Sequence, residues 1–335
     1  MNNTPMRRYL VGASLVLALL MGALLSACSA GESIRNLIGG GGGADLSSEV
    51  PADSEERANP GNPRDNTPQV LVPEQPGTAA YGDDRALLDY SNASSGYICA
   101  LSYLGDTKVK VLVDAPDGNQ YQYTITSSNS YITIPLSRGN GTYSVAIYEN
   151  LYDDQYAAIF AQDVGVELSD EFGAFLYPNP FVKFTDGDAA VQLSQEVTVN
   201  ATSDVEAVDQ IYMYMVQNFT YDYDKADTVA PGYMPNNDDM LASGQGICFD
   251  FASLTASMLR AQRLPTKLDG GYCGQAYHAW IEVYTADKGW IRKKIEFSGN
   301  SWVRMDPTFD SANQGQGDID KVIGDGKNYQ PILYY

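Results

Sequence analysis

The spacing of apolar residues changes once along this chain, from every second residue to every third or fourth. Between about residues 85 and 185 the apolar side chains alternate with polar ones in short runs divided by turn-forming residues such as Gly139 and Gly141. The alternating runs are residues 107–113, 121–125, 131–134 and 143–148. Regular short strands of this kind predict a small all-β sandwich over residues 81–190. We find no chemistry in that pattern, and we expect a spacer or a binding module.

From about residue 205 the apolar residues follow helical spacing instead. The stripe consists of Val205, Val208, Ile211, Tyr212 and Met215, which predicts an amphipathic helix. A loop rich in Asp, Asn, Pro and Tyr follows over residues 218–239, and a further amphipathic helix and strands come after it. The sequence therefore predicts an α+β domain over residues 195–335.

The first residues have the pattern of a secretory signal. Arg7 and Arg8 precede an apolar run over residues 10–25, and Leu25-Ser26-Ala27-Cys28 follows it. This ending resembles the lipobox of bacterial lipoproteins, which implies a signal peptide over residues 1–27, cleavage before Cys28 and lipidation of its thiol. A permanent membrane-spanning helix is the alternative, but the run is short for one. We expect a lipid-anchored protein on the extracytoplasmic side of a cell membrane.

Residues 28–80 have the composition of a flexible linker. Gly39–Gly43 is an unbroken glycine run, and prolines are scattered among Ser, Asp, Glu and Asn after it. Such a segment cannot bury enough apolar surface to offset its chain entropy, so we predict a disordered tether. The formal net charge of the chain is −21, which excludes nucleic acid and anionic membrane surfaces as partners.

Three residues have the chemistry of a thiol enzyme. His278 is the only histidine in the chain and hence the only histidine available as a general base. Cys248 follows a glycine-containing segment, residues 243–247, and precedes an amphipathic helix. A helix N-terminus stabilises a thiolate, which is the nucleophilic form of cysteine.

The strand patterns around His278 and Asp306 predict that the two side chains meet. In residues 277–284 one set of alternating positions is apolar, and His278 belongs to the other set. Asp306 has the corresponding phase in residues 302–308. If the two strands are neighbours, both side chains lie on one face. A helix carrying Cys248 over that face would complete a nucleophile, a base and an orienting carboxylate.

Several short motifs occur in an order that resembles the transglutaminase-like superfamily. They lie within residues 205–310 and are Gly246–Ala252, Leu259-Arg260, Leu264–Lys267, Gly271-Tyr272, His278–Trp280, Gly289-Trp290 and Asp306–Thr308. The resemblance implies a papain-like α+β core with a catalytic triad, and Cys248, His278 and Asp306 occupy the matching positions. The superfamily includes transglutaminases, peptidases and inactive members, so it implies a class of chemistry and no single substrate.

Other residues near these motifs have less certain roles. Gln245 or Tyr221 could supply the second donor of an oxyanion hole, beside the backbone N–H of Cys248. Trp280 and Trp302 could wall a substrate cleft, although packing is the commoner fate of such side chains. Cys273 is a rival nucleophile without the glycine-then-helix setting, and it could instead pair with Cys99.

Two functions fit the sequence. In the first, Cys248 attacks a peptide or side-chain amide, and the thioester is then resolved by water, as in a hydrolase, or by an amine, as in an acyltransferase. In the second, a catalytically silent domain of the same fold binds a surface protein or wall polymer. We expect no cofactor and no metal site, a protein or peptide as substrate, and membrane attachment through Cys28. The oligomeric state is left open.

Overall fold

A computed structural model of the chain describes residues 63–291, 295–312 and 327–335. The predicted signal peptide, the lipidated Cys28 and the linker up to residue 62 lie outside the described residues.

The N-terminal region is built from two four-stranded antiparallel sheets. The first has the order β1-β2-β3-β6 and the second the order β5-β4-β7-β8. The strands are β1 (Ala80–Gly82), β2 (Ala86–Asp89), β3 (Tyr97–Ser102), β4 (Val109–Asp114), β5 (Gln120–Ile125), β6 (Ile132–Pro135), β7 (Gly141–Tyr152) and β8 (Gln155–Val166). Apolar residues of both sheets, such as Ile98 and Val111, are buried in one cluster. The β-sheet fold predicted from the alternating runs is confirmed.

The C-terminal region is mixed α/β, as predicted. Its helices are α1 (Ala189–Val197), α2 (Asp204–Asn218), α3 (Tyr223–Thr228), α4 (Asn237–Ser243), α5 (Cys248–Ala261) and α6 (Pro307–Ala312). The stripe from Val205 to Met215 is buried in α2, which begins where the Ser203 side chain accepts the N–H of Glu206. Helix α1 spans the predicted domain boundary at residues 190–195 and packs against α5, so it belongs to the C-terminal core.

The central sheet of this region is antiparallel, with the order β15-β12-β11-β16. Its strands are β11 (Thr266–Cys273), β12 (Ala276–Thr285), β15 (Ser301–Met305) and β16 (Tyr329–Tyr334); smaller pairs are formed by β9 (Thr220–Tyr221) with β10 (Gln245–Gly246) and by β13 (Lys288–Ile291) with β14 (Ile295–Ser298). Helix α5 packs on β11 and β12. Ala279, Ile281 and Val283 are buried in the core, as the strand pattern predicts.

The segment predicted as a loop between residues 218 and 239 contains two short helices. The Asp222 side chain accepts the N–H of Lys225 at the start of α3. Asn236 does the same for Asp238 at the start of α4. Side chains that favour turns also cap helices, and in this segment they cap two helices where a loop is predicted.

Residues 63–79 lie along both regions of the protein, where the composition predicts flexible linker. Arg64 pairs with Asp204 at 2.5 Å and donates to the Gln262 side chain at 3.0 Å. The N–H of Gln69 donates to the carbonyl of Ala261, and the N–H of Glu74 donates to the Tyr97 hydroxyl. These long-range contacts fix a segment whose own composition would leave it disordered, because the partners lie far away in sequence.

No helix in the described part of the chain is long and apolar enough to cross a membrane. The apolar run over residues 10–25, for which a spanning helix is the alternative prediction, lies outside that part.

Candidate active site

Cys248 is the first residue of α5, and its side chain is partly exposed. Ile247 before it is extended, so the chain enters the helix through a sharp change of direction. Backbone N–H groups in a first helical turn have no acceptor within the helix. The sulfur of Cys248 therefore lies where unpaired N–H groups and the helix dipole stabilise negative charge.

Asp250 fixes this helix start. Its buried carboxylate accepts the N–H of Ile247 at 2.8 Å, the ammonium of Lys225 at 2.7 Å and the hydroxyl of Tyr233. A side chain at Gly246 would place its Cβ 2.8 Å from the Cβ of Asp250, which explains the glycine. Through the bond to Lys225, Asp250 also ties α3 to α5.

His278 and Asp306 are both buried and in direct contact. The two groups lie 2.6 Å apart, from His278 Nε2 to Asp306 Oδ2. Strand register explains the contact, because Met305 pairs with Ile281 and the next residue, Asp306, continues toward the start of β12. The predicted meeting of these two side chains is observed, with Asp306 placed just after β15 and before α6.

The thiol of Cys248 also acts on the imidazole. Nδ1 of His278 has no nitrogen or oxygen partner among the described residues, and the Cys248 side chain acts on the ring by charge and by hydrogen bonding. Burial alone lowers the pKa of His278, but the negative charges of Asp306 and Cys248 outweigh it, so the pKa is raised well above the usual value. The raised pKa favours the protonated imidazole, which can donate a proton.

The structure adds Tyr329, which the sequence analysis missed. Its buried hydroxyl donates to Asp306 Oδ2 at 2.8 Å. The other carboxylate oxygen, Oδ1, accepts the N–H of Thr308 at 3.2 Å. No local signal marks Tyr329, because it lies on a strand separated from Asp306 by the segment 307–328.

The two predicted oxyanion residues lie near Cys248 in different settings. Strand β10 pairs with β9 in parallel, with Gln245 beside Thr220 and Gly246 beside Tyr221. Gln245 is exposed. Tyr221 is buried in a small cluster with Ile247, and Cys248 packs at the edge of that cluster. A donor role for either side chain stays a prediction.

Of the two tryptophans predicted as possible cleft walls, Trp280 is a packing residue, whereas Trp302 is partly exposed and lines a surface cavity with Lys267 and Tyr334. Trp280 is fully buried, with its ring centroid 4.9 Å from that of Tyr329. Trp302 packs against Phe175 of the chain that joins the two regions, at 5.2 Å between ring centroids. The ammonium of Lys267 lies 3.9 Å from the centroid of the Trp302 ring. The cleft-wall prediction is wrong for Trp280, because its ring is fully buried and packs against Tyr329 of β16.

Cys99 and Cys273 are both free and buried, so the predicted pairing between them is not formed. Cys99 lies in β3 and Cys273 in β11, which belong to different sheets. Burial raises the pKa of Cys99 to about 11. Burial also raises the pKa of Cys273, and the neighbouring His278 only partly offsets the effect. Both thiols are therefore poor sources of thiolate.

Comparison with known proteins identifies the C-terminal region. Residues 191–307 match the model of the transglutaminase-like superfamily. No curated protein matches the chain in sequence. The similar solved structures include a candidate cysteine protease from Cytophaga hutchinsonii, with 12% identity, a TM-score of 0.38, and coverage of 77% of this chain and 84% of that one.

Two further solved structures are similar over less of the chain. A candidate protease from Parabacteroides distasonis has 13% identity and a TM-score of 0.27, with coverage of 67% of each chain. Red sea bream transglutaminase has 12% identity and a TM-score of 0.25, with coverage of 63% of this chain and 47% of that one. Residues 191–307 are therefore similar to the transglutaminase-like superfamily.

Proposed function

We propose that the protein is a thiol enzyme that acts on peptide or side-chain amide bonds through Cys248, His278 and Asp306. One observation carries the proposal: a single buried imidazole contacts Asp306 with one nitrogen and also interacts with Cys248, the thiol at a helix start. A base between a nucleophile and an orienting carboxylate is the arrangement that acyl transfer requires.

The reaction takes place in two steps. The Cys248 sulfur attacks the amide carbonyl, and as the tetrahedral adduct collapses, His278 donates its proton to the leaving nitrogen. A thioester and a free amine result. Water or a second amine then attacks the thioester, His278 takes the proton of that nucleophile, and the Cys248 thiolate is released with an acid or a new amide.

Asp306 acts by orientation and charge. Its carboxylate holds Nε2 of the ring, and Nδ1 has no hydrogen-bond partner among the described residues. The same negative charge favours the imidazolium that each step forms or uses. The choice between water and amine depends on access to the thioester, so hydrolase and acyltransferase remain two forms of one proposal.

Thiol labelling tests the proposal directly. Iodoacetamide at mildly acidic pH should modify Cys248 before Cys273 and Cys99, because burial raises the pKa of both competitors. His278→Ala should slow the labelling of Cys248, and Cys273→Ser is the matched control that should leave it unchanged. Peptide mass spectrometry gives the order of labelling, and circular dichroism checks the fold.

Two outcomes would overturn this assignment. One is labelling of Cys273 before Cys248. The other is a Cys248 labelling rate that does not respond to His278→Ala. Either outcome favours a catalytically silent binding module of the same fold. If labelling follows the expected order, a peptide library offered with and without an amine probe distinguishes hydrolysis from transfer.

We also propose that Cys28 carries the lipid that attaches the protein to the extracytoplasmic side of the membrane. The supporting observation is the lipobox-like Leu25–Cys28 after an apolar run. A tether of residues 29–62 would then hold the folded regions away from the membrane. Metabolic labelling with a fatty-acid analogue should mark the wild type and fail to mark Cys28→Ala; equal labelling of both would contradict the anchor.

A further inference from the structure

Asp306 is held by more than the histidine. Its Oδ2 lies 2.6 Å from His278 Nε2 and also accepts the Tyr329 hydroxyl at 2.8 Å. Its Oδ1 accepts the N–H of Thr308 at 3.2 Å. The carboxylate is buried, so these three donors fix its plane. Two of the three meet on the oxygen that faces the imidazole.

The position of the Tyr329 side chain is also fixed by its neighbours. Its strand, β16, pairs with β11 so that Tyr329 lies beside Cys273. Its ring centroid lies 4.9 Å from that of Trp280, and the Arg304 guanidinium lies 4.9 Å from the Tyr329 centroid. Burial, followed by the charge of Asp306, raises the pKa of Tyr329, so its hydroxyl keeps its proton and remains a donor.

We propose that Tyr329 is a positioning residue that acts on His278 through Asp306. The hydroxyl fixes the direction of Oδ2 and takes up part of the carboxylate charge. Without that donor, more of the charge acts on the ring, so the imidazolium is held more strongly and releases its proton at higher pH. In catalysis the donor thus keeps His278 able both to give and to take a proton. Only this catalytic consequence rests on the proposed function.

Other charged or titratable groups lie near the His278 imidazole or the Tyr329 ring. They are Cys248 on α5, Cys273 on β11 and Arg304 on β15, beside the Tyr329 ring. Tyr329→Phe leaves these groups and the ring contacts in place and removes one hydroxyl. The hydroxyl also interacts with the Cys273 thiol, so only a cycle with Asp306→Asn isolates its hydrogen bond to Asp306.

The single histidine of the chain permits a direct test. The full-length protein is labelled at histidine, and the titration of His278 is followed by NMR in the wild type, in Tyr329→Phe and in Tyr334→Phe. Tyr334 is the matched control, because it lies on the same strand but its ring faces Arg138, 4.0 Å away. Tyr329→Phe should raise the titration midpoint by about 0.5–1 pH unit, since a hydrogen bond to a charged group has an effect of this order. Tyr334→Phe should leave the midpoint unchanged.

A double-mutant cycle separates positioning from general support of the fold. In an Asp306→Asn background, Tyr329→Phe should no longer raise the midpoint, because the charge through which it acts is gone. In the wild type, the Cζ signal of Tyr329 should change with the same midpoint as His278. This second measurement needs no substitution at Tyr329.

An unchanged midpoint in Tyr329→Phe, or an equal rise in both backgrounds, overturns the inference whatever the labelling of Cys248 shows. If instead the midpoint rises while Cys248 labelling does not depend on His278, the positioning role stands and the proposed enzyme function fails. The two proposals therefore fail on different measurements.

Discussion

The two regions of this protein differ in what they bury. The N-terminal β-sheets bury mainly apolar side chains, and the buried Asp89 accepts backbone N–H groups of Gly77 and Ser91. The C-terminal domain buries a histidine, an arginine and several carboxylates as well. Burying charge is costly unless the groups are paired or hydrogen-bonded. The buried charged groups of the C-terminal domain are stabilised in two settings, one structural and one proposed to be chemical.

Arg260 shows the structural way. Its buried guanidinium donates only to backbone carbonyls, those of Thr266, Tyr177 and Tyr335. These bonds join α5 to β11, to the chain leaving the β-sheets and to the end of the chain. The contacts of His278 are different, because one nitrogen is paired with a charged partner and the other has no hydrogen-bond partner among the described residues. Burial of charge alone therefore does not distinguish the two roles; in the proposed enzyme, the incompletely paired imidazole near Cys248 does.

The largest expected effect is at Cys248. Cys248→Ala should reduce turnover of a peptide amide by at least about 10⁴-fold, because removing a nucleophile removes the whole covalent route. The melting temperature should stay near that of the wild type, since the side chain is only partly buried. Amine release from a substrate found by screening gives the rate. Residual turnover near the wild-type level would show that Cys248 is not the nucleophile, and the proposed chemical difference between the two regions would not hold.

Asp306→Asn should have the next largest effect, a loss of roughly 10²–10⁴-fold in turnover, because the imidazole loses its orienting charge. The substitution should also change how stability depends on pH. Asp306 raises the pKa of His278, so its contribution to stability is complete below about pH 6.5 and is lost as the pH rises through the raised value. The stability difference between wild type and variant should therefore narrow from about pH 6.5 upward. Denaturation at several pH values measures it, and a difference that widens would contradict the assignment.

Ile134→Ala tests the β-sheets. Ile134 is fully buried in β6, opposite Ile98, so the substitution should lower the free energy of unfolding by about 2–5 kcal/mol. The rate of Cys248 labelling in the folded protein should not change. A large fall in that rate below the melting transition would show that the β-sheets take part in the chemistry, and the contrast between the regions would not hold.

The smallest expected effect concerns Asp269, a buried carboxyl whose oxygens have no hydrogen-bond partner in the described part of the chain. Burial, followed by the charge of Glu282, raises the pKa of Asp269 well above its usual value. The folded state therefore keeps a proton that the unfolded chain releases above about pH 4, and this costs stability as the pH rises. Asp269→Asn should raise the free energy of unfolding at pH 7 by about 1 kcal/mol or more.

That gain should disappear near pH 3, where the wild-type carboxyl is protonated in both states. Chemical denaturation at the two pH values measures the gain, and Asp306→Asn is the contrasting variant, since it should lower stability at neutral pH. A variant at Asp269 that is less stable than the wild type at pH 7 would show that the carboxylate is paired and structural, as Arg260 is.

The sequence alone determined the features encoded within single elements. Alternation over residues 107–148 predicts strands, and the stripe from Val205 to Met215 predicts a helix, because side-chain direction repeats with a fixed period in each. The pairing of His278 with Asp306 could also be predicted, since each has a definite phase on its strand and the chain has one histidine. The setting of Cys248 followed from a glycine before it and an amphipathic helix after it.

Only the tertiary structure decided which distant elements become neighbours. It places the Tyr329 hydroxyl on Asp306, Lys225 and Tyr233 on Asp250, and residues 63–79 against both regions. It also separates Cys99 from Cys273. The physical reason is that periodicity fixes the face on which a side chain lies, whereas the partner on that face depends on strand order and helix packing. Those are set by burial of the whole core, and no local pattern records them.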